Sequence, residues 1–274
     1  MLSGLLRRLR RPGVPIPQDL WEAQLRALPH FGPWEAGEPE QLRALCSRFL
    51  AEKSITGVAG LRITAPMQLH IAAQACIPIL RLGLHWYGGW SGVVVYPAAF
   101  RVRRRVHRPG GLVEEYDAEL SGEAWDGGPV VLSWRDAAGD APQGNVVVHE
   151  FAHKLDLLDG VADGVPPFDR RLHPGLAHGP WERTLEDAYG RFCAELDLID
   201  AELPRDVDPD SAAADPYYDR LPLDAYAGTD PAEFFAVSSE AFFVNPAPLA
   251  AAFPAWHELL RRFYRPRLFG HAAA

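Results

Sequence analysis

The sequence predicts a mixed α+β fold, because helical and strand-like patterns occupy different parts of the chain. Over residues 1–90, apolar side chains recur at helical spacing, which predicts a mainly helical N-terminal part. Short Val-rich runs within 92–134 predict strands, and helical patterns return after them. We therefore expect a single domain over 1–274, with a core at 91–265 that contains a small mixed sheet.

Two helices are predicted in the N-terminal part. In residues 39–52 the apolar positions follow a helical period: Leu42, Leu45, Cys46, Phe49 and Leu50. Residues 64–82 carry helix signals at both ends, because Thr64 suits an N-cap and Gly83 suits a stop. Pro78 inside this stretch predicts a kink or a break, since proline lacks the amide hydrogen that the helix needs.

The strand-like region begins after a glycine-rich turn. Residues 93–96 predict a buried strand, and residues 101–106 alternate Arg with Val. Residues 112–116 are a candidate partner for the arginine strand, and 130–134 predict a further strand.

Four helices are predicted in the second half of the chain. They cover about 145–160, 181–196, 230–243 and 248–264, and the third opens with an Asp-Pro pair that suits a helix start. The segments 157–180 and 203–230 are rich in Pro, Gly and Asp, which predicts loops that either cover a site or form plain surface.

The residues that carry chemistry lie in the helix predicted at 145–160. His149 and His153 are four residues apart, so both imidazoles project from one helix face and can reach one zinc ion. Glu150 lies between them, at an angle that suits a general base acting on a water molecule. The surrounding helix is strongly apolar, where two buried histidines and a glutamate would be costly without a partner.

A third metal ligand is required, and the spacing alone leaves alternatives open. Asp159 stands where one class of zinc peptidases has its third histidine, so it is an outside candidate. Glu233 in the later helix is our choice, although a glutamate three residues after Asp230 also fits a helix-capping role. Glu240 lies two helical turns further on, as a ligand or as a hydrogen-bonding partner of a ligand.

Three segments together resemble one known family. HEFAHKLD at 149–156, YAGTDPAEFFAVSSEAFF at 226–243 and GLHWYGGWSGVVVYPAAF at 83–100 are similar to segments of the Mlc titration factor A family of bacterial zinc peptidases, in the same order. The likeness extends from about residue 20 to 265. A more distant likeness is to the catalytic domain of anthrax lethal factor, where a Tyr precedes the ligand Glu by seven residues, as Tyr226 precedes Glu233 here.

The resemblance implies a zincin-like metallopeptidase fold with a gluzincin-type site. His149, His153 and Glu233 would bind one Zn²⁺, Glu150 would be the general base, and Tyr226 would donate a hydrogen bond to the carbonyl oxygen as charge develops. The chain departs from thermolysin-like enzymes, which have an acidic residue four positions after the ligand glutamate. Val237 occupies that position, so support for the ligands must come from another residue, with Glu240 and Asp156 as the candidates.

The resemblance also implies an aminopeptidase-like activity on short peptides and binding to Mlc, a transcriptional repressor of glucose-uptake genes. The alternative hypothesis is a regulatory protein that sequesters such a repressor, in which zinc only braces the fold. Peptide specificity and oligomeric state are not encoded in any recognisable pattern.

Composition excludes several other classes. A formal net charge of −9 argues against direct nucleic-acid binding, and the arginines at 101–108 are more typical of a solvated strand edge. No apolar run is long enough to span a membrane, and the basic segment 1–15 lacks the features of a secretory signal, leaving a frayed terminus or a short interfacial helix. The three cysteines, Cys46, Cys76 and Cys193, are widely spaced, which predicts free thiols and a cytoplasmic location.

Overall fold

The computed structural model describes residues 12–31, 34–107, 113–120, 122–125, 127–139, 144–209, 211 and 213–265. The basic segment at the N-terminus, where a short interfacial helix was one expectation, lies almost entirely outside these residues. The described chain has an α+β fold, with a small mixed sheet and helices on both sides of it in sequence. This confirms the predicted fold class at that level.

The sheet combines parallel and antiparallel pairs. Its strands are β1 (Ser54–Gly57), β2 (Gly92–Tyr96), β5 (Gly122–Ala124) and β6 (Val130–Ser133), in the spatial order β1-β2-β6-β5. The first three strands of that order are parallel, whereas β5 runs antiparallel to β6. Strand β5 is therefore an edge of the sheet as described.

A separate antiparallel pair joins β3 (Phe100–His107) and β4 (Val113–Leu120). Its register places three arginines directly opposite three acidic residues: Arg101 opposite Glu119, Arg103 opposite Asp117 and Arg105 opposite Glu115. The pairing predicted between the arginine strand and the following run is confirmed, and the described partner strand extends beyond the predicted run, to Leu120.

Ten α-helices lie in the described part of the chain. They are α1 (Gln18–Arg26), α2 (Glu38–Glu52), α3 (Ala65–Cys76), α4 (Trp134–Ala137), α5 (Val146–Asp156), α6 (His178–Glu202), α7 (Asp215–Tyr218), α8 (Pro231–Val244), α9 (Pro246–Ala252) and α10 (Pro254–Tyr264). Short 3-10 turns cover Pro29–Phe31, Leu84–Tyr87, Leu157–Asp159 and Ala225–Gly228.

Two predicted helices end at prolines. Helix α3 begins after the expected N-cap Thr64 but ends at Cys76, before Pro78, rather than at residue 82. The single helix predicted at 248–264 is divided into α9 and α10, because Phe253 precedes Pro254 and takes a non-helical conformation. The residue before a proline is disfavoured in the α region by contact with the proline ring, which accounts for the second boundary.

The helix with the two histidines is anchored by its apolar face. Phe151 is fully buried, with its ring centroid 5.0 Å from that of Tyr87 and 5.8 Å from that of Phe49. Replacing a buried phenylalanine with alanine typically costs about 3–5 kcal/mol, so this contact fixes α5 firmly against the N-terminal part.

Helix α8 is anchored in a comparable way. Phe234 and Phe235 are fully buried, and both pack against Trp256 of α10 at centroid distances of 6.0 and 6.4 Å. Because these residues directly follow Glu233, the packing fixes where that carboxylate can lie.

All three cysteines are free, with Cys46 and Cys76 buried. Within the described part of the chain, no helix combines the length and the apolar character that crossing a bilayer requires.

Candidate metal centre

Helix α5 presents His149 and His153 toward the same point. Asn145 begins the helix, and its side-chain oxygen accepts a hydrogen bond from the Val148 N–H at 2.9 Å, as an N-cap should. The Nε2 atoms of the two histidines lie 3.2 Å apart, with both side chains mostly buried. One turn of helix thus brings two imidazole nitrogens together.

Helix α8 brings Glu233 to the same point. Asp230 caps this helix, with its side chain accepting from the Glu233 N–H at 2.9 Å. The Glu233 carboxylate does not reach back to complete a capping box; its Oε2 lies 3.1 Å from Nε2 of His149 and 3.1 Å from Nε2 of His153. The structure therefore gathers the three residues chosen from the sequence into one group able to bind a metal ion.

The hydrogen bonding of His149 indicates that this group suits a cation. Its Nδ1–H donates to Oε1 of Glu240 at 2.6 Å, so in the neutral ring Nε2 carries a lone pair that faces Glu233. Lone pairs converging at this distance repel unless positive charge lies between them. Tetrahedral zinc bonds of 2.0–2.1 Å place ligand atoms about 3.3 Å apart, close to the observed triangle.

The electrostatics lead to the same conclusion. Burial opposes a charge on His149, but the charge of Glu240 and the hydrogen bonds from Glu233 and Glu240 raise its pKa well above the ordinary value. Burial likewise opposes ionisation of Glu233, yet the two histidines hold the pKa of its carboxyl far below the ordinary range. The group is built to surround positive charge, either a proton or a metal ion.

Glu150 lies beside this group and is buried. The Cα of Gly122 in β5 packs so closely that a Cβ there would lie 2.3 Å from Oε1 of Glu150. Burial, reinforced by the charges of Glu233, Glu240 and Glu123 and opposed by His149, raises the pKa of Glu150 to about 8. A carboxyl group with this pKa can both accept and return a proton near neutral pH.

Tyr226 lies at the exposed edge of the group. Its hydroxyl donates to Oε1 of Glu233 at 3.3 Å, and its ring centroid lies 6.1 Å from that of His149. The residue is 47% exposed, so its hydroxyl is within reach of a bound molecule as well as of the carboxylate.

Two other sequence candidates lie elsewhere. Asp159 is exposed and accepts from the Val161 N–H at 3.3 Å, outside the metal-binding group found among the described residues. Asp156 is fully buried, and its Oδ2 accepts from the Gly164 N–H at 2.8 Å. Of the two residues proposed to support the ligands, Glu240 is the one that bonds a histidine.

The residues that hold β5 next to Glu150 are not among those predicted from the sequence. The Lys154 ammonium, buried beside His153 on α5, donates to the carbonyls of Trp125 and, at 2.9 Å, of Gly128 in the turn between β5 and β6. The available signal was a lysine on a helix whose many apolar residues predict burial, because a buried ammonium requires several acceptors.

Known proteins resemble this chain over nearly its whole length. The model of the glucose-regulated metallo-peptidase M90 family matches residues 5–265. "Mlc titration factor A" of Klebsiella pneumoniae subsp. pneumoniae is 39% identical over 248 residues, which is 89% of this chain and 85% of that protein. "Mlc titration factor A" of Salmonella arizonae is 37% identical over 249 residues, or 90% of each chain. The chain belongs to the M90 family of glucose-regulated metallo-peptidases.

Proposed function

We propose that this protein is a zinc-dependent peptidase of the gluzincin type with a zincin-like fold. His149, His153 and Glu233 would bind one Zn²⁺, and Glu150 would be the general base. The observation that carries the proposal is the triangle of ligand atoms 3.1–3.2 Å apart with a buried carboxyl group beside it. Membership of a metallopeptidase family supports the same chemistry.

The chain's own residues supply the acid–base chemistry. When bound, zinc would supply a Lewis acid that polarises the scissile carbonyl and makes water easier to ionise. Glu150 would remove a proton from the attacking water and deliver it to the leaving amine, as a general base beside the metal does. Tyr226 would donate its O–H to the carbonyl oxygen as negative charge grows there.

The edge strand β5 supports a peptide as the substrate. An extended peptide can pair with the edge of a sheet through backbone hydrogen bonds, independent of its side chains. Because the backbone of Gly122 packs against Glu150, a peptide paired along β5 would pass close to the general base. We further propose, from the family resemblance, that the enzyme removes amino-terminal residues from short peptides.

Hydrolysis of aminoacyl p-nitroanilides tests this function. We expect the zinc-loaded protein to cleave substrates with a free amino group, to lose activity on chelation and to regain it with zinc. E150Q should retain zinc and lose activity about 10²–10⁴-fold, the usual range for a general base, and H153A should lose most of its zinc. Wild-type turnover by E150Q would refute the assignment of the base, and equal cleavage of acetylated substrates would refute the aminopeptidase assignment.

A second candidate function is binding of an Mlc-type transcriptional repressor in the cytoplasm, where reduced cysteines are expected. The name of the relatives, "Mlc titration factor A", favours it. If sequestration is the main function and the metal only braces the fold, removal of zinc should unfold the protein and abolish binding together. If the peptidase is primary, chelation should abolish hydrolysis while circular dichroism and repressor binding persist.

A further inference from the structure

A line of hydrogen bonds starts in the N-terminal helices and leads toward the metal centre. In α1, Gln24 lies with its Nε2 3.0 Å from Nδ1 of His70. Nε2 of His70 lies 3.1 Å from the carbonyl oxygen of Ala137, which also accepts from Nε2 of Gln74 at 3.2 Å. These contacts agree with a single assignment, in which His70 is protonated on Nε2 and accepts at Nδ1.

The line continues from Gln74 to the first metal ligand. Oε1 of Gln74 accepts from Nδ2 of Asn145 at 2.5 Å, and the Asn145 N–H donates to Oε2 of Glu240 at 2.5 Å. The other carboxylate oxygen of Glu240 accepts from Nδ1 of His149 at 2.6 Å. Each bond from Gln24 to His149 pairs one donor with one acceptor, although the residues of the line belong to α1, α3, α4, α5 and α8.

Asn145 is the point where this line joins the helix with the histidines. Its Oδ1 caps α5 at Val148, and its carbonyl accepts from the His149 N–H at 3.0 Å in the first helical turn. Its remaining polar groups, N–H and Nδ2, bond to Glu240 and Gln74. All the polar groups of Asn145 are thus used, so the position and rotation of the first turn of α5 depend on partners in two other helices.

Burial makes these bonds costly to lose. Gln74 is 2% exposed and Glu240 is 8% exposed, so neither can exchange a lost partner for bulk water without a rearrangement. A histidine ring can rotate about its bond to Cβ, and a bond to Nδ1 from a fixed carboxylate removes that freedom. The orientation of the His149 lone pair therefore depends on how firmly Glu240 is held.

We propose that Gln74, Asn145 and Glu240 are positioning residues that orient His149 for its metal ion. Through Gln74, the N-terminal helical part would then determine the affinity of the metal centre, in addition to supporting the fold. The inference rests on the proposed function, since it assumes that His149 is a metal ligand. It assigns no contact with substrate to any of the three.

Zinc affinity of the folded protein tests the network. Dissociation constants would be measured by competition with a chromogenic chelator for the wild type, Q74M, Q74E and E240Q. Gln74→Met keeps the volume but removes the acceptor for Asn145, whereas Gln74→Glu retains an acceptor there. Ile199→Val is the control, because Ile199 is fully buried in α6 and plays no part in these bonds.

We expect E240Q to bind zinc about 10–100-fold more weakly, the usual effect of removing a partner of a ligand histidine, and Q74M about tenfold more weakly. Q74E should fall between Q74M and the wild type, and I199V should match the wild type. The visible spectrum of the cobalt-substituted protein should change in Q74M and E240Q but not in I199V. A substitution that only destabilises the fold would not change this spectrum.

The measurements distinguish a failure of the proposed function from a failure of the positioning network. If the wild type binds no zinc, the proposed function itself is wrong. If the wild type binds zinc tightly and Q74M and Q74E equal it in affinity and cobalt spectrum, the metal centre stands and the positioning network is refuted. Should Q74M fail to fold, the comparison of Q74E and E240Q with I199V decides in the same way.

Discussion

The Tyr226 hydroxyl donates a hydrogen bond to Oε1 of Glu233 at 3.3 Å, while Oε2 of the same carboxylate faces the two histidines. The tyrosine therefore lies at the edge of the candidate metal centre, outside the group formed by His149, His153 and Glu233. This arrangement allows its role in turnover to be separated from metal binding.

We expect Y226F to retain zinc and KM but to lose kcat by about 10²-fold, because removing one donor from a developing oxyanion typically costs that much. Steady-state kinetics and zinc analysis on the same preparations would show it. Y217F is the matched control, since Tyr217 is also partly exposed but lies on the short helix α7. An unchanged kcat in Y226F would remove Tyr226 from the mechanism.

The contact between Gly122 and Glu150 predicts that a substitution can reduce the reaction rate without reducing zinc content. A Cβ at residue 122 would lie 2.3 Å from Oε1 of Glu150, so G122A must displace the carboxylate. A misplacement of about 1 Å can cost about 10²-fold in rate, and we expect a loss of that order with zinc content unchanged. G190A is the control, because a Cβ at Gly190 meets nothing within 4 Å. Equal kcat/KM in the two variants would contradict the prediction.

Gly164 lies between the two helices that carry the candidate metal ligands. Its N–H donates to Asp156 at the end of α5, its φ is +79°, and a Cβ would lie 2.6 Å from the carbonyl oxygen of Pro231 at the start of α8. We expect G164A to lower both the free energy of unfolding and the zinc affinity. Both are measurable, by urea titration of the metal-free protein and by chelator competition.

The matched variant for Gly164 is G160A. Gly160 has a similar φ of +93°, but nothing lies within 4 Å of its Cβ position. It should therefore show the conformational cost of about 1–2 kcal/mol without the change in zinc affinity. If G160A and G164A weaken zinc binding equally, the close approach of Gly164 to Pro231 does not determine zinc affinity.

Asp156 predicts a pH dependence of stability. Burial, together with the charges of Asp163 and Asp159 and against the hydrogen bond from Gly164, raises its pKa to about 7. The unfolded value is about 3.9, so between about pH 4 and 7 the folded state holds a proton that the unfolded state has lost. Stability from this group is therefore complete below pH 4 and is lost as the pH rises through 7.

D156N removes that dependence, because asparagine does not titrate and its carbonyl can still accept from Gly164. We expect D156N to gain stability relative to the wild type as the pH rises from 5 to 8. Urea unfolding of both metal-free proteins at the two pH values measures this difference. A difference that is constant, or that shrinks toward pH 8, would show that Asp156 ionises normally in the folded state.

The residues converging on the metal site were predictable because each carries a local signal. Histidines at i and i+4 share a helix face, and the helix starts at Asn145 and Asp230 carry side chains that cap. The role of Glu233 had two interpretations, because its position suits a helix cap as well as a metal ligand. Glu233 was chosen as the ligand from the residues, and the family resemblance implied the same role.

The missed elements have little signal of their own. Strand β5 reads Gly-Glu-Ala, a sequence with low strand propensity, and it forms by pairing with the Val-rich β6. Strand β1 has four residues with one buried side chain, and it lies between two helices. Gln74 is one of three polar residues on α3, with Gln68 and His70, and nothing near it in sequence indicates that its partner is Asn145.

Glu233 and Glu240 are seven residues apart on α8, so they project from one side of the helix two turns apart. One of them faces the ion site directly, and the other restrains an imidazole from behind. A small rotation of α8 about its long axis would withdraw both at once, and metal loss would then be abrupt rather than gradual.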